Sequence, residues 1–267
     1  MESGPAGHGL TLNFTLRQIG KSEIKVSPIT LGTMRIDRAE DVIGLLTDAF
    51  RLGITSLHCS SEYETYPVFR DALRDLGGSV PAGVTVIAKL AAPHFGEDRF
   101  SAADFRSKVQ FYLDTLGLDQ LHVVQWLLRY DLKNDDAGVR IFDEAANQVA
   151  EVIRDLKEQG LIRACVGFPY SAPIAERMVA AGFLDGLAVY VNPLEREMDA
   201  FVAAAAARGK STVAIRPFAA GRVFAETPLN HTEALEHVFG LPGIATAVVS
   251  ASSTEHLEQL RGVFDHG

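Results

Sequence analysis

Tyr63 and Lys89 are the residues of this 267-residue chain whose type and placement most directly offer chemistry. The tyrosine lies just past an apolar run that ends at Leu57, and the lysine closes the run that starts at Val84. If those runs are strands of a parallel barrel, both side chains stand where the strands empty into the active-site mouth. A lysine's charge favours a neighbouring phenolate and lowers the tyrosine's pKa towards working pH, which suits general acid chemistry on a carbonyl oxygen. The same pair reads equally well as a surface tyrosine and a lysine laying its stem along apolar surface.

Other candidate constellations are weaker. His58, Glu62 and His94 could ligate zinc or iron, but their spacing matches no ligand pattern, and a polar rim without metal is the stronger reading. Cys59 beside His58 suggests a thiolate nucleophile, yet adjacent strand residues point to opposite faces. Asp131, Asp135 and Asp136 with Lys133 read as a solvated loop. The chain has no Gly-x-Gly-x-x-Gly after a strand, no phosphate-binding Walker loop and no nucleophile-elbow motif.

Positioning Tyr63 and Lys89 falls to a regular alternation that begins at Pro28. Strands are predicted at Ile29 to Thr33, Ile54 to Cys59, Val84 to Leu90, Leu121 to Leu128, Ile162 to Gly167, Gly186 to Val191, Thr212 to Arg216 and Ala245 to Ser250. Helical stripes occupy Asp41 to Phe50, Phe105 to Leu116, Asp143 to Leu156, Ile174 to Val179, Met198 to Ala207 and His256 to Phe264. Eight such units favour a closed (β/α)8 TIM barrel over an open doubly wound sheet. Two β-like runs around Gly20-Lys21-Ser22-Glu23 predict a hairpin closing the barrel floor. Residues 1–13 read as a loose leader and 14–267 as a single barrel domain.

Bulk composition narrows the partners. Hydrophobic residues make up 47% and charged ones 22%, so the chain is globular and can bury a core. A formal charge of -9 is a poor footprint for phosphate backbones, which argues against nucleic acid. Cys59 and Cys165 are too few for a disulfide framework and lack Cys-x-x-Cys spacing, so a reducing, cytoplasmic setting is the simpler expectation. The apolar run Phe201 to Ala207 is too short to span a bilayer, and no membrane partner is expected.

The stretch Arg17-Gln-Ile-Gly-Lys-Ser-Glu-Ile-Lys-Val-Ser-Pro-Ile-Thr-Leu-Gly-Thr-Met34 resembles the opening of an aldo-keto reductase. Similar segments follow in family order: Ile54 to Tyr63, Leu116 to Asp119, Gly160 to Arg163, Asn192 to Arg196 and Ser250 to Ser253. The resemblance implies hydride transfer between NADP(H) and a small carbonyl or sugar, with an Asp, Tyr, Lys and His about the reacting oxygen. Tyr63 falls on the family's tyrosine and Lys89 on its lysine. His58 stands in place of the aspartate, and Leu127 in place of the histidine, with Trp126 and Arg129 nearby. His58 brings no negative charge to hold the lysine.

For the cofactor, the resemblance implies contacts from Gly32, Thr33 and Met34, from Arg216, Pro217 and Phe218, and from Ser252 and Ser253. Small residues in Arg216 to Gly221 let backbone N–H groups approach an anion, and the helix opening after Ser253 attracts phosphate. Read without the family, Ser252 to Glu255 is an ordinary helix cap. The positions that would hold the nicotinamide are changed to Pro169, Tyr170, Ala188 and Ile215, and the adenosine positions to His256, Gln259 and Leu260. Tyr170 or Tyr190 could supply stacking instead.

The leading expectation is therefore an aldo-keto reductase-like NADP(H) oxidoreductase, with Tyr63 as acid or base, Lys89 as its pKa modulator and His58 as a polar substitute. One alternative is redox-neutral lyase or epimerase chemistry by Tyr63, Lys89 and His58. Another is a non-catalytic binding or regulatory barrel. Oligomeric state leaves no mark in the sequence.

Overall fold

The computed structural model of the protein describes residues 15–97, 99–261 and 264; the expected leader of residues 1–13 lies outside them. A short hairpin, β1 (Arg17–Gln18) and β2 (Lys25–Val26), precedes eight parallel strands. These are β3 (Ile29–Gly32), β4 (Ser56–Ser60), β5 (Thr85–Ala91), β6 (Leu121–Leu127), β7 (Ile162–Phe168), β8 (Gly186–Tyr190), β9 (Ser211–Ile215) and β10 (Ile244–Val249). Each pairs with its sequence neighbour, and β10 closes on β3 through Ala247 opposite Ile29. The predicted (β/α)8 barrel is the observed fold, and every predicted strand lies within two residues of an observed one.

Side-chain alternation along the strands separates two apolar layers. Ile87, Val123, Ala164, Val166, Ala188 and Val213 fill the barrel interior, and Ile19 and Val26 of the hairpin pack beneath them. The hairpin thus forms the floor. Gly20 is required there: at φ +53°, its Cβ would stand 2.2 Å from the Asp185 carbonyl oxygen. Residues of the opposite parity, such as Leu57, Ala88, Leu90, Val124 and Trp126, face the surrounding helices.

Those helices are α1 (Val42–Arg51), α2 (Tyr66–Leu76), α3 (Ala102–Leu116), α4 (Asp135–Glu158), α5 (Ala172–Ala180), α6 (Asp199–Ala206), α7 (Arg222–Glu226), α8 (His231–Gly240) and α9 (Thr254–Arg261). Helix α4 begins eight residues earlier than its apolar stripe. Asp135 and Asp136, read as a solvated loop, form its first turn, where carboxylates complement the helix dipole, and Asn134 caps Ala137 N–H at 3.0 Å. Helices α2, α7 and α8 were not anticipated from hydrophobic period. For α8 the signal lay in its cap instead: Asn230 and Glu233 form a reciprocal capping box.

Candidate active site

Register places the three candidate catalytic residues side by side. Lys89 on β5 pairs with Ser60 of β4 on one side and Gln125 of β6 on the other. His58 on β4 lies opposite Gly32 of β3, and Tyr63 follows β4 in a turn where its N–H reaches Ser60 O at 3.1 Å. All three line one cavity of about 400 Å³ at the C-terminal ends of the strands. Gly32 and Met34 line its first side; Arg216, Pro217 and Phe218 line another, with Leu127 and Gln125 between. Thr33 turns into the protein and is fully buried, leaving its backbone carbonyl to Thr65.

Tyr63 and Lys89 meet face-on: the amine nitrogen lies 5.1 Å from the centroid of the phenol ring. The expected acidified tyrosine does not result. Burial, together with Cys59, Glu62 and Tyr190, pushes the Tyr63 pKa well above its ordinary value, with Arg129 opposing weakly. Lys89 moves down, through burial first and then the charge of Arg129, against the pull of Glu62. His58 is buried and its pKa falls to about 4, mainly by desolvation. Its neutral ring donates from Nε2 to Gln125 Oε1 at 2.8 Å. Gln125 escaped the sequence reading because its neighbours on β6 are apolar; strand parity with Leu127 is the signal that finds it.

Three further charged or polar groups at the mouth pair with one another. Arg129 donates to Glu62 and to His94 Nε2, so these two collect on a guanidinium rather than on a metal, while His58 turns to Gln125. Among the described residues, no group of three or more His, Cys, Asp and Glu could hold a metal ion. Cys59 points into the helix layer, away from His58. Arg129 and Trp126 do not line the cavity; Trp126 packs against Phe100 and Phe142 outside the barrel.

Opposite Lys89 stands an aromatic wall. Phe168 meets Tyr170 at 5.0 Å and Tyr190 at 5.4 Å, both edge-on, and the Arg216 guanidinium lies 4.8 Å from the Tyr190 centroid. The loop from Arg216 to Gly221 is built with unusual backbone: Arg216, Ala219 and Ala220 all have positive φ, at 56°, 47° and 60°. Such non-glycine residues are held there only by surrounding structure. Buried Asn192 supplies part of it, donating to Arg216 O at 3.2 Å and accepting from Leu194 and Glu195 N–H. Ser252 and Ser253 lie outside the cavity lining, where Ser253 Oγ accepts from His256 N–H at the start of α9.

Residues 28–234 match the aldo/keto reductase family. The chain belongs to this family. Its members generally use NAD(P)H on small carbonyl or sugar substrates, and membership supports oxidoreductase activity. A solved structure assigned to the aldo-keto reductases from Pseudomonas aeruginosa is 25% identical, with a TM-score of 0.73 over 95% of this chain and 96% of that one. The holo form of an aldo-keto reductase from Bacillus halodurans is 18% identical, with a TM-score of 0.73 over 94% and 91% of the two chains. A glycerol dehydrogenase from Gluconobacter oxydans is 15% identical, with a TM-score of 0.71 over 95% and 91%. No curated protein sequence matches the chain. Among the described residues, no helix is long and apolar enough to cross a membrane.

Proposed function

We propose that the protein is an NADP(H)-dependent oxidoreductase that reduces a small carbonyl or sugar. The observation that carries this reading is the convergence of Tyr63, Lys89 and His58 with Gly32, Met34 and Arg216 to Phe218 on one cavity of an aldo-keto reductase barrel. Its cationic part fits the cofactor: the loop of positive-φ residues carries Arg216 to the cavity, and Arg35, Lys89 and Arg216 line it with no carboxylate among the described lining residues. Arg216, Pro217, Phe218, Gly32 and Met34 would hold it, with Ser252 and Ser253 at the α9 terminus contributing to its phosphate end. When bound, the nicotinamide supplies the hydride.

The protein's own part is the proton. Tyr63 retains its hydroxyl hydrogen because burial disfavours the phenolate, so it serves as donor in the reductive direction. The charged form of Lys89, against the ring face, favours negative charge as it develops on the phenol oxygen. His58, neutral and tied to Gln125, replaces a carboxylate with a polar group that adds no charge of its own beside Lys89. Two free buried cysteines accord with a reducing, cytoplasmic setting.

Calorimetric titration with NADPH and NADP+ tests the reading. A constant of micromolar or tighter, about -8 kcal/mol, with carbonyl-dependent NADPH consumption, is the expected result; no binding at millimolar cofactor sinks it. Pro169, Tyr170 and Ala188 stand where the resemblance implies a Ser-Asn pair and a Gln holding the nicotinamide amide, and Ile215 where it implies a stacking ring, which favours redox-neutral elimination or epimerisation as the second reading. Turnover without cofactor would identify that one. A non-catalytic barrel would bind its partner unaffected by Tyr63→Phe.

A further inference from the structure

Other partly buried lysines of this protein are spoken for. Lys108 bonds Asp104 and Ala91 O, Lys157 bonds Asp185, and Lys210 bonds the carbonyls of Ala181 and Leu184. Lys89 is the exception: among the described residues its amine has no hydrogen-bond or ion-pair partner, only the face of Tyr63 at 5.1 Å. It points into the cavity, on the inward parity shared with Ile87 and Ala91. The charges around it are cations: Arg35 and Arg216 line the same cavity, and Arg129 stands close behind. Glu62, the nearest carboxylate to act on it, is held by Arg129.

A protonated amine in such surroundings has no carboxylate of its own to pair with, which disfavours the charge relative to a lysine in water and makes the nucleophilic form more accessible. We infer that Lys89 forms an imine with a small aldehyde or ketone admitted to this cavity, in a reaction that needs no cofactor. The lone pair of Nζ forms the nitrogen–carbon bond while the carbonyl π pair moves to oxygen, which takes the hydroxyl proton of Tyr63. The tyrosinate recovers a proton from the nitrogen, giving the carbinolamine. Nitrogen then expels the hydroxyl, which leaves as water with the Tyr63 proton, and the iminium returns a proton to Tyr63. Amine and carbonyl become imine and water, with no change of oxidation state. Tyr63 suits this cycling because its hydroxyl bonds no protein group among the described residues. Burial and the Arg129 charge, which hold Lys89 below the usual lysine range, act in the same sense.

The inference shares the reductase's cavity but not its cofactor, and the two chemistries draw on different protonation states of one amine. Full-length protein is incubated with butyraldehyde and sodium cyanoborohydride, without nicotinamide, so that hydride trapping turns any imine into a stable secondary amine. Peptide mass mapping then reads each site. Lys89 is expected to be labelled on the order of tenfold faster than exposed Lys21 and Lys133, with saturable aldehyde dependence. Lys89→Met, checked for fold by circular dichroism, is expected to lose the fast phase, and Tyr63→Phe to slow it. Labelling of wild-type protein that simply follows exposure, with Lys89 no faster than Lys133, overturns the inference. That result together with carbonyl-dependent NADPH consumption would leave the reductase reading standing; fast Lys89 labelling without NADPH binding would do the reverse.

Discussion

Two side chains give this protein separable chemical and titration signatures. Tyr63 contributes its hydroxyl to no protein hydrogen bond among the described residues, so Tyr63→Phe is expected to leave the denaturation midpoint nearly unchanged. Carbonyl turnover is expected to fall about a hundredfold to ten-thousandfold, the range of a general acid; steady-state kinetics beside urea melts read both. His58 gives a pH signature. Its folded pKa of about 4 lies below the ordinary histidine value, so between those values the unfolded chain binds the extra proton. Stability from keeping this ring neutral is complete above about pH 6.5 and is lost as pH falls towards 4, by about 3 kcal/mol. Urea midpoints from pH 7 to pH 4 are expected to fall steeply, and His58→Gln to flatten part of that slope. His122 and His231, lowered first by burial and then by nearby charge, act in the same direction.

At the scale of elements, the loop after β9 trades backbone comfort for shape. Ala220 sits at φ 60° without the freedom of glycine, so Ala220→Gly is expected to stabilise the protein by up to about 1 kcal/mol in urea unfolding. Weaker NADPH binding in the same variant would show that the stiffness serves the ligand. The floor hairpin is the opposite case. Gly20→Ala drives a Cβ into the Asp185 carbonyl and is expected to cost about 2 kcal/mol or more. Strand runs were legible because each is a short β-rich block between polar turns. Helix α2 was not, because its buried face is only Tyr66, Phe69, Ala72 and Leu73 in a charged background, although Pro67 marks its start.

The whole molecule depends on the seam between barrel and helices, where Trp126 is fully buried among Phe100, Phe142 and Phe183 and donates to Ala92 O at 2.6 Å. Trp126→Ala is expected to lower global stability by about 3–5 kcal/mol in denaturant melts. The sequence alone determined the barrel, since eight alternating units have few ways to bury their apolar faces, and it determined the family through the opening around Leu31 to Met34. It also put Tyr63, Lys89 and His58 near the mouth, because strand ends set that height. Only the tertiary structure decided what these groups meet. Gln125 takes the His58 proton donor, Arg129 gathers Glu62 and His94, and Lys89 is left against a ring instead of a carboxylate. Each of those contacts joins residues at least 26 positions apart, or falls to groups desolvated only when the barrel closes, and local pattern carries no trace of either.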